Sequence, residues 1–295
     1  MDAADVLEQL PVTAWHGPFD AALQRQAVAA LERGRVLVFP HLPFQVAAEE
    51  RDLLSATVSG AKRKNVSLDP ATGRLGNVAL DPAEAPRIAA MMQRFADGAS
   101  RLLADLLPGY AGTLDRARTS FRPTEIAGRV SSPRHDDRRL HIDAFPSCPM
   151  NGRRILRLFS NIAPDGAPRA WRVGEPFERY ATRFLPRIRP PLPGSPWALR
   201  GLGLTKGHRS RYDHVMLRLH DQGKLDVAYQ ATAAHADVKF AAGTTWLCFT
   251  DQVLHAALAG HCALEQTFHL PVAAMADPDS TPLRVLERLS GHALA

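Results

Sequence analysis

A disulfide framework is what this sequence most plainly lacks. Its three cysteines, Cys148, Cys248 and Cys262, form an odd, widely spaced set without a Cys-x-x-Cys pair. That excludes a disulfide-stapled scaffold and a cysteine-rich zinc site, and it suits a reducing cytoplasm. Lysine is scarce too: Lys62, Lys64, Lys206, Lys224 and Lys239 are the only ones among 36 basic residues. Arginine therefore supplies most of the charge behind a net +6. Its planar fork suits bidentate recognition of carboxylates and phosphates. An arginine-favouring base composition of the gene is the plain alternative for the total. No apolar run approaches the roughly 18 residues of a membrane-spanning helix. The opening Met1-Asp2-Ala3-Ala4-Asp5 lacks the basic and apolar regions of a signal peptide, so a cytoplasmic location is expected. Basic residues are not interleaved with aromatics along a groove-like stretch, so no nucleic-acid partner is expected. Internal repeats and low-complexity tracts are missing as well.

What is present is a globular composition, 45% hydrophobic and 22% charged over 295 residues, enough for a large core. The first 115 residues read as mainly helical. Helices are expected over Phe19 to Glu32, Ala47 to Val58 and Glu84 to Leu107, with a strand in Gly34 to Pro40 between the first two. From Arg116 the pattern becomes short strand-like runs: Ala117–Phe121, Leu140–Phe145, Ile155–Ile162, Ala170–Val173, Val238–Phe240, Thr245–Phe249, His255–Ala257 and Ala263–Leu270. That density over 116–275 fits an antiparallel barrel or jelly roll, so the fold class is mainly β with flanking helices, α+β. A helical insertion near 176–222 interrupts it, with helices at Pro176–Leu185 and Arg209–Asp221 around a proline-rich loop from Pro186 to Pro196. A C-terminal helix is expected within 276–295. The whole is expected to be one structural domain.

The chemistry is concentrated in Leu140-His141-Ile142-Asp143-Ala144-Phe145 and, far downstream, Thr250-Asp251-Gln252-Val253-Leu254-His255. Residues i and i+2 of a strand share a face, so His141 and Asp143 can grip one ion. With one distal His they make the two-His, one-carboxylate set of a mononuclear non-heme Fe(II) site, which leaves open positions for co-substrate and O₂. His-x-Asp occurs three times. His135-Asp136-Asp137 lies in a polar loop, and His235 is only 20 residues before His255, too few to wind several strands between ligands. A satisfied core pair is the bland reading of His141 and Asp143. The Gly243 turn, the apolar strand Thr245–Phe249 and the corner at Asp251 favour His255 as third ligand over His261, which reads as a solvent-facing turn residue.

A 2-oxoglutarate co-substrate needs a cation for its far carboxylate. Oxygenases of this type often carry an arginine about ten residues after the distal histidine. Here that position is Glu265, followed by Gln266 and Thr267, and no Arg or Lys occurs from Ala256 through Pro282. Arg157 is the first alternative: it lies 16 residues after His141 and interrupts the apolar Ile155–Phe159 run, where a lone charge needs a partner. A structural salt bridge is its competing role. Arg139, two residues before His141, is second choice, and Thr267 completes the candidate co-substrate contacts. Arg122, Arg129 and Arg154, with Arg134 and Arg153 nearby, are candidates for an acidic substrate.

Longer motifs carry a family resemblance. Leu140 to Ser147, Gly152 to Arg157, Trp171-Arg172-Val173-Gly174-Glu175-Pro176-Phe177 and Phe249 to Ala257 resemble the bacterial Kdo hydroxylases. The resemblance covers the chain from about Arg116 to Pro271 and extends into the helical N-terminus. It implies a double-stranded β-helix, cupin-like dioxygenase using Fe(II), 2-oxoglutarate and O₂. It implies hydroxylation at C3 of 3-deoxy-D-manno-oct-2-ulosonic acid (Kdo) on a lipid A precursor, giving the Ko sugar of lipopolysaccharide. His141, Asp143 and His255 carry over as iron ligands. The setting implied is the inner face of the inner membrane, with peripheral contact to anionic lipid. Two alternatives stay open: an oxygenase of the same fold with another substrate, and a non-catalytic cupin-like metal-binding module.

Overall fold

A computed structural model describes residues 1–59, 63–81, 83–192, 194, 197 and 200–295; Pro193, Ser195 and Pro196 of the expected proline-rich loop lie outside the described residues. Eleven strands are described, β1 Leu7–Gln9, β2 Val36–Phe39, β3 Val66–Leu68, β4 Leu75–Gly76, β5 Asp115–Arg122, β6 Arg154–Asn161, β7 Arg169–Gly174, β8 His235–Phe240, β9 Thr245–Phe249, β10 His255–Ala259 and β11 Ala263–Leu270. Eight form one sheet in the order β1-β2-β9-β6-β11-β5-β3-β4, and three form a second in the order β10-β7-β8. The non-sequential order is that of a jelly roll, and flanking helices make the fold α+β.

Strand alternation decides what each face of the large sheet does. On β6, Leu156 and Leu158 join Leu247, Phe249 and Leu264 in a core under the helices Ala21–Glu32 and Ala85–Leu106. The alternate residues, Arg157 and Phe159, point into the space between the sheets, where Phe159, Trp171, Phe240 and Trp246 pack together. The long helix earns its place through Ile88, Met91, Met92, Phe95, Leu102 and Leu106, all buried at three-to-four-residue spacing. A third cluster holds the helices Phe177–Phe184, Arg211–Leu225 and Pro282–Ser290 against Leu140, Ile142 and Leu254.

Two expected elements differ. Ala47–Val58 is not one helix but two short 3₁₀ turns, Ala48–Leu53 and Ala56–Val58. The Ser55 hydroxyl accepts from the Thr57 backbone N–H, a local bond that competes with helix continuation. Leu140–Phe145 is not a regular strand. His141 makes a single antiparallel bridge to His255, and the Asp143 N–H then bonds to the carbonyl of Thr250 in the turn before β10. The segment stays extended enough for both side chains to face the same way. Strands β1, β3 and β4 and the short helix Val227–Thr232 were not legible in the sequence.

Candidate active site

The reciprocal bridge between His141 and His255 places two distant histidines side by side. Each backbone N–H donates to the other's carbonyl, at 3.0 and 2.8 Å. Their ring centroids are 4.5 Å apart. One ligand atom from each of His141, Asp143 and His255 lies within 4.8 Å of the others. His135, His235 and His261 are elsewhere: His135 meets the Ser132 hydroxyl, His235 nears Asp237, and His261 sits between Glu125 and Asp165.

Backbone carbonyls fix the histidine tautomers. His141 Nδ1 is 2.7 Å from the Arg139 carbonyl, and His255 Nδ1 is 2.9 Å from that of Val253. A carbonyl only accepts, so each Nδ1 carries the proton and each Nε2 presents a bare lone pair. Burial lowers both imidazole pKa values, and for His141 the neighbouring His255 and Lys224 lower it further. Trp171 stacks on the His255 ring at 5.3 Å and 23°, and His220 meets His141 edge-on at 5.5 Å. Burial alone would raise the Asp143 carboxyl, but Arg157 and the two histidines hold it well below the usual range. Asp143 Oδ2 is 3.0 Å from Arg157 Nη1 without hydrogen-bond alignment, so among the described residues it remains a buried acceptor with no hydrogen-bond partner. Two bare nitrogens and an orphan carboxylate oxygen are a donor set that fits a divalent cation.

Among the described residues, the cleft beside this trio is lined by five cations, Lys64, Arg122, Arg129, Arg157 and Arg169, and three carboxylates, Asp137, Asp143 and Glu265. The distribution is uneven. Arg122 lies 2.8 Å from Glu265, whose other oxygen is 3.4 Å from Arg157. Lys64 and Arg129 both approach Asp137, at 3.0 and 3.7 Å. Burial opposes the charge on Asp137, yet Arg122 and Lys64 bring its pKa down to about 2.

Arg169 has no such partner. It is 4% exposed, no carboxylate lies within ion-pair distance among the described residues, and its Nε has no hydrogen-bond partner. Among the described residues, its guanidinium donates one long hydrogen bond, 3.4 Å from Nη1 to the Gly260 carbonyl. Burial, then the repulsion of Arg122, brings its pKa down to about 10, with Glu265 offsetting part of this. Arg169 and Trp171 are two apart on β7 and share its inward face, and the Trp171 indole N–H also has no partner among the described residues. Along a strand that spacing is about 7 Å, comparable with the length of a five-carbon dicarboxylate.

The structure thus brings Arg122, Arg129 and Arg157 to the cleft and leaves Arg139, Thr267 and Arg154, along with Arg134 and Arg153, outside its lining. Arg139 donates to the Lys224 carbonyl. Thr267 is the cross-strand neighbour of Arg157 on β11. Arg154 is fully buried on the opposite face of β6, paired with Asp251 at 2.7 Å and lying 3.9 Å over the Phe249 ring. That pairing corrects its expected place at the substrate: residues 154 and 157 differ by an odd number, so a strand sends them to opposite faces. Sequence reasoning missed Lys64, Asp137, Arg169, Trp171 and His220. For Arg169 a signal existed, since it alternates with Trp171 in Arg169-Ala170-Trp171-Arg172-Val173.

Comparison with known proteins agrees with this geometry. The family model for 3-deoxy-D-manno-oct-2-ulosonic acid (Kdo) hydroxylase matches residues 14–293. A crystal structure of the Kdo hydroxylase KdoO, described as a non-heme Fe(II) alpha-ketoglutarate-dependent dioxygenase in complex with alpha-ketoglutarate and Fe(III), is 45% identical, with a TM-score of 0.95 over 98% of this chain and 97% of that one. A cobalt(II) complex of KdoO is 47% identical, with a TM-score of 0.94 over the same shares. No curated protein sequence matches.

Proposed function

The chain belongs to the Kdo hydroxylase family, and from that premise we propose that it hydroxylates C3 of Kdo linked to a lipid A precursor, using Fe(II), 2-oxoglutarate and O₂. One oxygen atom of O₂ enters the C–H bond and the other enters succinate as 2-oxoglutarate loses CO₂. The observation that carries this reading is the meeting of two bare imidazole nitrogens and one orphan carboxylate oxygen beside a cleft with more cations than carboxylates.

His141, Asp143 and His255 would hold the iron, which supplies the oxidising power that an unactivated methylene requires. The remaining work belongs to the chain. The Arg139 and Val253 carbonyls aim the two imidazoles. Arg157, already faced by Asp143 and Glu265, braces the ligand carboxylate instead of standing free for a co-substrate. The distal carboxylate of 2-oxoglutarate instead meets Arg169, a buried cation with no carboxylate at ion-pair distance among the described residues, with the Trp171 indole N–H as a second donor. Arg122 and Arg129 remain on the cleft wall for the acidic sugar. The Trp171 ring over His255 keeps water from that side of the site.

Anaerobic addition of Fe(II) and 2-oxoglutarate tests the site: a visible charge-transfer band is expected and should vanish in His255→Ala. Mass spectrometry of lipopolysaccharide from a strain lacking the gene tests the substrate. A Kdo residue should lose one oxygen, and an unchanged core with a different hydroxylated metabolite would reassign the substrate.

A further inference from the structure

The most lopsided charge in the molecule lies away from the cleft. Residues 179–218 contain nine Arg or Lys and one acid, Asp213, a net +8 in a chain whose total is +6. Two of the nine pair with acids just outside that span, Arg179 with Glu175 and Arg187 with Asp226, but Asp213 does not neutralise the rest. It is buried, and its carboxylate accepts from the backbone of Met150, Asn151 and Ser210. The Ser210–Asp213 capping box starts the helix Arg211–Leu225. One face of that helix, Tyr212, Val215, Met216 and Leu219, is buried in the core. Arg218, with His214 and Gln222 at four-residue spacing, lines the opposite face, where with Arg187, Arg189 and Arg209 it forms an open groove of about 530 Å³. No Asp or Glu lines that groove among the described residues, and Arg189 and Arg218 have no carboxylate within ion-pair distance among them.

Beside the groove the surface turns apolar. Trp197, Leu202 and Leu204 are 68%, 73% and 59% exposed. Trp197 packs edge-on against His208, next to the groove residue Arg209. Leu202 and Leu204 flank Gly203, whose positive φ and N–H bond to the Arg200 carbonyl make a tight turn that carries them at its tip. Large exposed apolar side chains in a segment this rich in cations suit insertion among anionic lipid headgroups. Tryptophan and arginine are the residues that settle at that depth.

We propose that this face docks the protein on an anionic lipid surface. The choice of lipid over other polyanions rests on the lipid-linked substrate proposed above. The face is also fastened to the site. The Lys206 N–H donates to the Ser147 carbonyl and Arg209 to that of Pro146, three residues beyond Asp143. The same helix carries Arg218 on its outer face and His220 against His141.

The test is sedimentation of the iron-loaded protein with vesicles of phosphatidylcholine, alone or mixed equally with phosphatidylglycerol. Retention is expected only on the anionic vesicles, and it should fade with added salt. Arg189→Glu with Arg218→Glu should cut retention about thirty-fold or more, from about five-fold per arginine at an anionic surface. Leu202→Ser with Leu204→Ser should weaken it at constant charge. Both double variants should keep the wild-type melting temperature and 2-oxoglutarate turnover. Equal retention on neutral vesicles, undiminished binding after charge reversal, or full displacement by inorganic phosphate at constant ionic strength would overturn the proposal. Vesicle retention needs no turnover. Failure to hydroxylate Kdo would therefore sink the functional reading and leave the docking result standing.

Discussion

Replacing Arg169 with methionine should do two opposite things at once. Arg169 is a buried cation with no carboxylate at ion-pair distance among the described residues, and its pKa is held near 10. Against the ordinary value of 12.5, that depression corresponds to about 3 kcal/mol of unfavourable charge burial. At neutral pH the side chain is protonated folded or unfolded, so the cost is present in full. Methionine keeps most of the apolar stem and removes the charge. The protein without co-substrate should therefore gain about 1–3 kcal/mol, because replacing a buried unpaired charge by an apolar group of similar size stabilises. Binding should move the other way. Two charge-assisted hydrogen bonds to a carboxylate contribute about 1.5–3 kcal/mol each, so the apparent KM for 2-oxoglutarate should rise about a hundred-fold or more. The KM for the sugar should change little. Differential scanning calorimetry without co-substrate, and turnover against 2-oxoglutarate concentration, read the two effects separately. A lower melting temperature with unchanged KM would refute the reasoning and make Arg169 a structural residue. A matching rise in KM for Arg157→Met would return the co-substrate role to Arg157.

Three further outcomes follow from the geometry. His141→Ala, Asp143→Ala and His255→Ala should each abolish hydroxylation and iron retention while near-native circular dichroism persists; iron bound at full stoichiometry in any one of them removes that residue from the ligand set. Arg154→Met leaves Asp251 buried without its cation, which should cost about 3–5 kcal/mol in denaturant unfolding, and loss of activity without loss of stability would put Arg154 back at the substrate. His269 is held down to about 4 by burial and by Arg153 and Arg157. Below its ordinary pKa of 6.5 the unfolded chain takes up the proton first, so stability should fall as pH drops from about 6.5 toward 4, by up to about 3 kcal/mol; His269→Gln should flatten that slope, and an unchanged slope would show that the proton enters elsewhere.

Much of the site was legible because ligand chemistry is written in short spacing. His141 and Asp143 are two apart, an extended chain puts i and i+2 on one side, and this holds even where the regular strand gives way to a single bridge. The apolar strand and corner before His255 singled it out as the distant residue that meets His141 and Asp143, and the strands Thr245–Phe249 and Ala263–Leu270 were bounded correctly by the alternation and turns around them. Charges were another matter. Arg154, Arg157 and Arg169 look alike in the sequence: each interrupts or borders an apolar run. Only the packed structure gives Arg154 to Asp251, sets Arg157 between Asp143 and Glu265, and leaves Arg169 without a carboxylate at ion-pair distance among the described residues. Periodicity fixes which face of its own strand a side chain occupies, whereas a buried cation is satisfied by whatever the other strands bring within a few ångströms. Glu265 lies 108 residues from Arg157 and 143 from Arg122. Such pairings depend on strand order and register, which no local pattern encodes.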